Sequence, residues 1–213
     1  MNSDSKPKLA YYLGNTMYIN LTNLCTNDCV FCIRSINNTV AGANLMLESE
    51  NVNSQNVIEE IQANSPETAD EIVFCGYGEP LIRIELLLEV AKFLKQNYPN
   101  KPVRINTNGQ ACLIHKRNII PELVGLIDKI SVSLNGENAD VYQEISVSKF
   151  EKNECYQAVK DFIKDCVEAG IETTASIVVG YKDYKVDIEK CRQIAEELGA
   201  NFRIREWLDE GYN

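Results

Sequence analysis

Three cysteines, Cys25, Cys29 and Cys32, stand at CxxxCxxC spacing within Asn-Leu-Cys-Thr-Asn-Asp-Cys-Val-Phe-Cys-Ile-Arg, directly after a short run that reads as a strand. Thiolates are soft ligands, and several on one compact loop suit an iron–sulfur cluster or zinc better than a hard cation. Three ligands are one short of a closed site, so such a metal keeps a coordination position open for something else. The competing reading is a zinc knuckle completed by a fourth ligand, with Cys75 and His115 as candidates. Structural zinc sites usually show paired ligands at both ends, which this loop lacks.

Other chemistry-bearing groups follow at intervals. Gly76-Tyr77-Gly78-Glu79-Pro80 sits after an apolar run, and by itself reads as a strand-to-helix turn that Pro80 opens. Thr107-Asn108-Gly109 ends a third run, and Ser133 and Asn135 end a fourth, where hydrogen bonding at a strand end explains them equally well. Arg203 and Arg205 alternate with Phe202 and Ile204 and therefore share one face of a strand. Facing inward, they would hold a carboxylate or phosphate through paired hydrogen bonds. Facing outward, they would only solubilise. Cys155, Cys166 and Cys191 fall on apolar helical stripes and read as core. Cys75, Cys112 and the single histidine, His115, carry no paired spacing that would assign them a task.

The elements that must position these groups repeat one rhythm. Tyr11–Leu13 and Thr16–Thr22 flank Gly14-Asn15, a hairpin pair. A long polar segment then precedes a helix at Ser54–Asn64, and segments of that length are usually functional. Strands are expected at Glu71–Cys75, Val103–Thr107, Lys129–Leu134, Glu172–Val179 and Phe202–Trp207. Helices are expected at Ile82–Asn97, near Ile119–Leu126, along the Val159 to Val167 stripe that stops at Gly170, and along the Ile188 to Leu198 stripe that stops at Gly199. Six β units with helical crossovers give a parallel sheet, too few strands for the usual eight-stranded closure. The expected fold is α/β, a partial (β/α)6 TIM-like barrel open on one side. Each motif falls at the carboxyl end of a strand, where such folds place their chemistry.

The 213 residues, 45% hydrophobic and 24% charged, read as one globular domain: a tail and hairpin over 1–15, a barrel core over 16–207 and a C-terminal tail over 208–213. No apolar run is long enough to cross a bilayer, and the polar start lacks a signal peptide, so a cytoplasmic location is expected. Eight cysteines then read as thiols and ligands rather than disulfides. A net charge of −10 opposes binding to nucleic acid or an acidic membrane. The short stretch after the last strand leaves the expected open side to be completed by a protein or other large substrate.

With these motifs in place the chain resembles the radical S-adenosylmethionine (SAM) enzymes, whose CxxxCxφC motif, with φ aromatic, is matched by Cys25, Cys29, Phe31 and Cys32. The resemblance implies a [4Fe–4S] cluster on the three cysteines, with SAM on the fourth iron. Reductive cleavage would give methionine and a 5′-deoxyadenosyl radical that abstracts hydrogen from substrate, with electrons from an external flavodoxin- or ferredoxin-type donor. Gly76, Tyr77, Gly78 and Glu79 resemble the family's GGEP segment, with Tyr77 as a departure at its second residue, and imply contacts to the methionine amino group. Ser133 and Asn135 are implied to hold ribose or carboxylate, the Thr107-Asn108-Gly109 turn is similar to the family's third strand end and implies a cofactor contact at Asn108, and Phe31, Ile177 and Val179 are implied to lie near adenine. Arg205, nearer than Arg203 to the carboxyl end of the last strand, is expected in the site from that position. More narrowly, the hairpin, Cys-Gly-Tyr-Gly-Glu-Pro and Ser-Leu-Asn segments are similar to TatD-associated radical SAM proteins, which implies a link to a TatD-type hydrolase. Activation of a glycyl-radical enzyme is less favoured, because Asn106 and Ser133 stand where those activases often carry acidic groups. The non-enzymatic alternative is a zinc-binding adaptor for a partner protein.

Overall fold

The computed structural model describes residues 6–207. The chain begins with an antiparallel hairpin, β1 (Ala10–Leu13) and β2 (Thr16–Ile19), turned by Gly14 at φ +57°. Further along the chain come the small hairpin β3 (Thr39–Val40) and β4 (Ala43–Asn44), then α1 (Ser54–Ala63), β5 (Glu71–Phe74), α2 (Ile84–Asn97) and β6 (Val103–Thr107). The second half holds α3 (Ala111–His115), α4 (Ile120–Leu123), β7 (Lys129–Ser133), α5 (Ala139–Ser146), α6 (Lys152–Glu168), β8 (Glu172–Val179), α7 (Ile188–Glu197) and β9 (Asn201–Glu206). The main sheet runs β1-β2-β5-β6-β7-β8-β9 and is parallel from β2 onward. Its ends, β1 and β9, are not paired, so the six parallel strands form the expected open, partial barrel.

Strand alternation divides the sheet into two chemistries. In β6, Val103 and Ile105 are buried on one face while Arg104 and Asn106 stand on the other. In β7, Ile130 and Val132 alternate in the same way with Ser131 and Ser133. The apolar face packs against Leu87, Val90 and Leu94 of α2 and Val159, Phe162 and Ile163 of α6 in one continuous core. Each fully buried Leu or Phe there contributes roughly 1.5–3 kcal/mol. Asn53, Asn138, Glu151 and Asp187 each accept a backbone N–H at the start of α1, α5, α6 and α7, which fixes where these helices begin.

Several boundaries differ from the sequence expectation. The first central strand ends at Ile19, because the chain then turns toward the cysteines. The helix expected from Ile82 opens instead with a tight 3₁₀ turn at Pro80–Arg83, held by the Glu79 carboxylate. α3 and α5 were not expected; both are short, with too few turns to display an apolar stripe. The residues expected to form a C-terminal tail, 208–213, lie outside the described residues.

Candidate active site

The polar face of the sheet and the loops at its carboxyl edge enclose an open basin of about 280 Å³. Cys25, Phe31, Cys32 and Arg34 line one side, Gly76 to Glu79 the next, and Asn106 to Asn108, Ser133, Ser176, Val178, Arg203 and Arg205 follow across the sheet. Motifs separated by up to 180 residues in sequence thus meet at one mouth.

Glycine makes the first junction. A Cβ on Gly78 would lie 2.3 Å from the Leu24 carbonyl oxygen and 2.6 Å from that of Thr22, so no other residue lets this loop press against the approach to the cysteines. The contact is then fastened by Glu79 N donating to Leu24 O at 2.8 Å. Gly76 lies as tightly on Asn20, whose Oδ1 accepts Tyr77 N at 3.0 Å and would be 2.2 Å from an added Cβ. Asn20 also donates to Leu45 O at 2.8 Å, tying the segment beyond the cysteines to the same point.

Tyr77 has a role of its own. Its ring packs with Tyr11, Ile33, Val40 and Leu45 in a small apolar cluster separate from the main core. Its hydroxyl lies 2.6 Å from Asn38 Oδ1 and 3.3 Å from Arg34 O, donating toward that side of the loop. The residue that departs from the family pattern therefore braces the chain that follows Cys32.

Glu79 is 4% exposed and accepts from Leu81 N (3.1 Å), Thr107 Oγ1 (2.8 Å) and Asn108 N (2.7 Å). It ties the second strand-end loop to the third. Burial nevertheless dominates these three hydrogen bonds and pushes its carboxyl up to about 7.

The cysteine loop is held from behind by elements that carry no motif. Asp28 N and Val30 N donate to Ser146 O and Ile145 O at the end of α5, and Lys149 N donates to Thr26 O. Beneath the loop, Gln110 Nε2 donates to Asn27 Oδ1 (2.6 Å) and to the Tyr142 hydroxyl (2.8 Å), while Thr26 Oγ1 donates to Gln110 Oε1 (2.6 Å). Asn27, Gln110 and Tyr142 are buried and satisfied together, as a polar network inside a protein requires. Sequence reading missed them. The available signal was Asn138, a helix cap four residues before Tyr142.

The three thiols are free. Burial raises Cys25 to about 11, with Glu79 adding to it, and raises Cys29 to about 12, with Cys32 and Cys25 adding to it; Cys32 also rises, chiefly from burial. Among the described residues, no three Cys, His, Asp or Glu side chains are already gathered as a ligand set. The fit to a three-ligand soft centre rests on donor type and on the common loop. Cys32 N donates to Cys29 O at 2.9 Å, and Asn27 N approaches Cys25 Sγ at 3.4 Å, an N–H contact that favours thiolate.

Other expected site residues divide. Phe31 lines the basin and meets Tyr181 edge-on at 6.3 Å; Tyr181 in turn meets Trp207 at 4.9 Å, so an aromatic wall stands where only Phe31 was expected. Ser133 and Arg205 line the basin, with Arg205 Nη2 3.5 Å from Ser133 Oγ. Ile177 and Val179 do not: both pack toward the helix core, and their neighbours Ser176 and Val178 take the basin side, because the expectation was one residue out of step with strand alternation. Asn135 is buried outside the basin at φ +55°, where its Nδ2 donates to Ser146 Oγ at 3.1 Å. His115 Nε2 lies 2.7 Å from Leu81 O, away from the basin, as does Cys112. Cys75 does line it.

A family model described as the Radical SAM superfamily matches residues 19–197. The chain belongs to that superfamily. It is a radical SAM enzyme whose reaction is unspecified, and the adaptor reading falls with that membership. Enzymes of the superfamily typically use a [4Fe–4S] cluster and SAM and generally need an external electron donor. No curated protein matches significantly. Among solved structures, TYW1 with a lysine-pyruvate adduct bound is similar at 14% identity and TM-score 0.63, over 93% of this chain and 67% of that one. SuiB from Streptococcus suis bound to S-adenosylmethionine is similar at 17% identity and TM-score 0.65, over 90% and 40%. Methylornithine synthase (PylB) follows at 15% and 0.56, over 92% and 56%. The radical SAM chain thus spans less than two thirds of the latter two proteins, and at these identities the likeness is one of fold. Among the described residues, no helix is long and apolar enough to cross a membrane.

Proposed function

We propose that Cys25, Cys29 and Cys32, as a CxxxCxφC loop with Phe31, hold a [4Fe–4S] cluster, and that Gly76 to Glu79, Asn108, Ser133 and Arg205 bind SAM beside it. When bound and reduced, that centre would supply the electron that splits SAM into methionine and a 5′-deoxyadenosyl radical, which takes hydrogen from substrate. One observation carries the reading: the cysteine loop and the Gly76–Glu79 loop are pressed together at Gly78 and Leu24 on the rim of a single basin.

In this reading the chain's own groups divide the work. Glu79 fixes the loops that present backbone to the methionine amino group, and its charge favours that cation. Arg205 and Ser133 offer donors to a carboxylate or to ribose hydroxyls. Phe31 and Trp207 line the basin and are joined through Tyr181, an aromatic side on which adenine would stack. The Asn27–Gln110–Tyr142 network would keep the cysteine loop from shifting while its three thiols release their protons to solvent on taking up metal.

The narrower assignment to the TatD-associated group, with a functional link to a TatD-type hydrolase, rests on the Gly14-Asn15 hairpin and the Cys-Gly-Tyr-Gly-Glu-Pro and Ser-Leu-Asn segments. One domain, a cytoplasmic location, a flavodoxin- or ferredoxin-type donor and a large substrate that completes the open side belong to the same proposal. Glycyl-radical activation stays less favoured, since Asn106 and Ser133 carry no charge into the basin.

Anaerobic reconstitution, reduction and chromatographic detection of 5′-deoxyadenosine test the core claim, with Cys29→Ala as control. Production by the native chain and none by the control is expected. A verified four-iron cluster that yields no 5′-deoxyadenosine would refute it.

A further inference from the structure

We propose, on the radical SAM reading of the cysteine loop, that Arg34 sets the reduction potential of the cluster: its guanidinium, held beside that loop, favours the reduced state and so eases electron uptake from the external donor.

Arg34 is fixed in place by its neighbours. It lies in a tight turn, Ile33–Ser35, that starts directly from Cys32, with Ser35 N donating to Cys32 O at 3.1 Å and Ile36 N to Ile33 O at 2.9 Å. Its guanidinium lies over the Tyr77 ring, 5.9 Å from the centroid, and the Tyr77 hydroxyl lies 3.3 Å from the Arg34 carbonyl oxygen. The residue that departs from the family's GGEP pattern is therefore the one on which Arg34 rests.

The polypeptide does not answer this charge. Arg34 makes no ion pair among the described residues, and its Nη1 is enclosed yet meets no hydrogen-bond partner there. Arg104, which lines the same basin, is by contrast paired with Glu71 at 2.8 Å and donates to Asn106. Buried polar groups in folded proteins are nearly always satisfied, so the Arg34 nitrogen calls for an acceptor of another kind.

A cluster on the adjoining cysteines has that character. Arg34, Cys25 and Cys32 line one side of the basin. Burial raises the Cys25 and Cys32 thiols, and the Arg34 charge opposes the rise at both, so its field reaches two of the three ligand sulfurs. A [4Fe–4S] cluster on three thiolates is net negative and becomes more so on gaining an electron, so a fixed cation nearby stabilises the reduced form more than the oxidised one. Enclosure preserves the effect, because solvent and salt screen buried charges poorly. The step affected is the passage of one electron from the donor protein to the cluster; the donor is oxidised, the cluster is reduced, and no bond is made or broken.

The test compares the native chain with Arg34→Gln and Arg34→Lys, each reconstituted anaerobically and its four-iron content verified by iron and sulfide analysis. Redox titration followed by electron paramagnetic resonance reads the midpoint potential, and calorimetry reads S-adenosylhomocysteine affinity. Arg34→Gln is expected to favour the oxidised form about tenfold, a shift of about 60 mV to more negative potential, and Arg34→Lys, which keeps the charge, to shift by less than half of that. An unchanged potential in Arg34→Gln overturns the proposal, and if S-adenosylhomocysteine then binds more weakly, Arg34 is a cofactor contact instead. Equal shifts in the two variants overturn it as well, since side-chain shape rather than charge would be the cause. Failure of both variants to take up iron would show that Arg34 serves assembly of the site and not its potential. A native chain that forms no four-iron cluster refutes the radical SAM reading itself and this proposal with it, an outcome distinct from each of the others.

Discussion

Replacing Glu79 with Gln should remove a pH-dependent penalty that the native chain carries in its most enclosed strand-end loop. The carboxyl is buried and its pKa rises from 4.5 to about 7, because desolvation outweighs the donors Asn108 N, Thr107 Oγ1 and Leu81 N. A carboxyl with a raised folded pKa binds more protons in the native state than in the unfolded chain between those two values. Its favourable contribution is therefore fully present below 4.5 and is lost as pH rises through about 7. The shift corresponds to about 3 kcal/mol. Gln cannot titrate, so denaturant unfolding of both proteins over this range, free of metal and under reductant, isolates the term. Stability of the native chain relative to the variant should fall by about 3 kcal/mol between pH 4.5 and 7 and then level off. The amide NH2 of Gln facing Asn108 N–H adds a pH-independent offset of about 1–3 kcal/mol and leaves the slope unchanged. A difference that stays constant with pH would refute the reasoning, since it would mean that the three donors hold the carboxylate ionised against its burial.

Gly78→Ala should displace the cysteine loop, because the added Cβ meets backbone oxygens of Leu24 and Thr22 that no side-chain rotation relieves. A loss of about 1–3 kcal/mol in stability and a marked fall in iron per chain after reconstitution are expected, read by denaturation and metal analysis. Unaltered iron content would show that the contact is not needed to shape the site. Tyr77→Phe keeps the ring in its apolar cluster but loses the contacts to Asn38 Oδ1 and Arg34 O, a change of about 1 kcal/mol. Hydrogen exchange over 33–45 should quicken about fivefold, with the rest of the chain unchanged. Equal protection in the two proteins would remove Tyr77 as the brace.

The rhythm of six β units was legible because buried strands and helical stripes carry strong periodic signals, and all six parallel strands appear near their expected places. The strand-end motifs were legible because the cysteines, the glycines and Glu79 are chemically unusual. What was illegible depends on parity and partners. A shift of one residue on β8 separates Ile177 from Ser176, and composition does not reveal which of them faces the basin. Asn135 looked like a ligand because it ends a strand, but its left-handed backbone turns it toward Ser146. Gln110 and Tyr142 escaped notice because their value lies in meeting Asn27 across more than 80 residues of chain.

The inner face of the sheet supplies the final argument for a site rather than an accident of packing. Parallel sheets are usually covered on both faces, and their strands then read as continuous apolar runs. Here the helices cover one face only, and the other presents Arg104, Asn106, Ser131, Ser133, Ser176, Arg203 and Arg205 to an open basin. Polar groups on that face add nothing to a hydrophobic core, so packing alone does not account for them. The basin's carboxyl-edge rim is fastened at great structural expense: two glycines that admit no Cβ, a buried carboxylate with three donors, and a buried amide network under the cysteine loop. Such rigidity at the mouth of a wet, polar hollow has its physical use in holding ligands whose position must not vary. Radical chemistry has that need, because a hydrogen is taken from whichever group the basin places nearest.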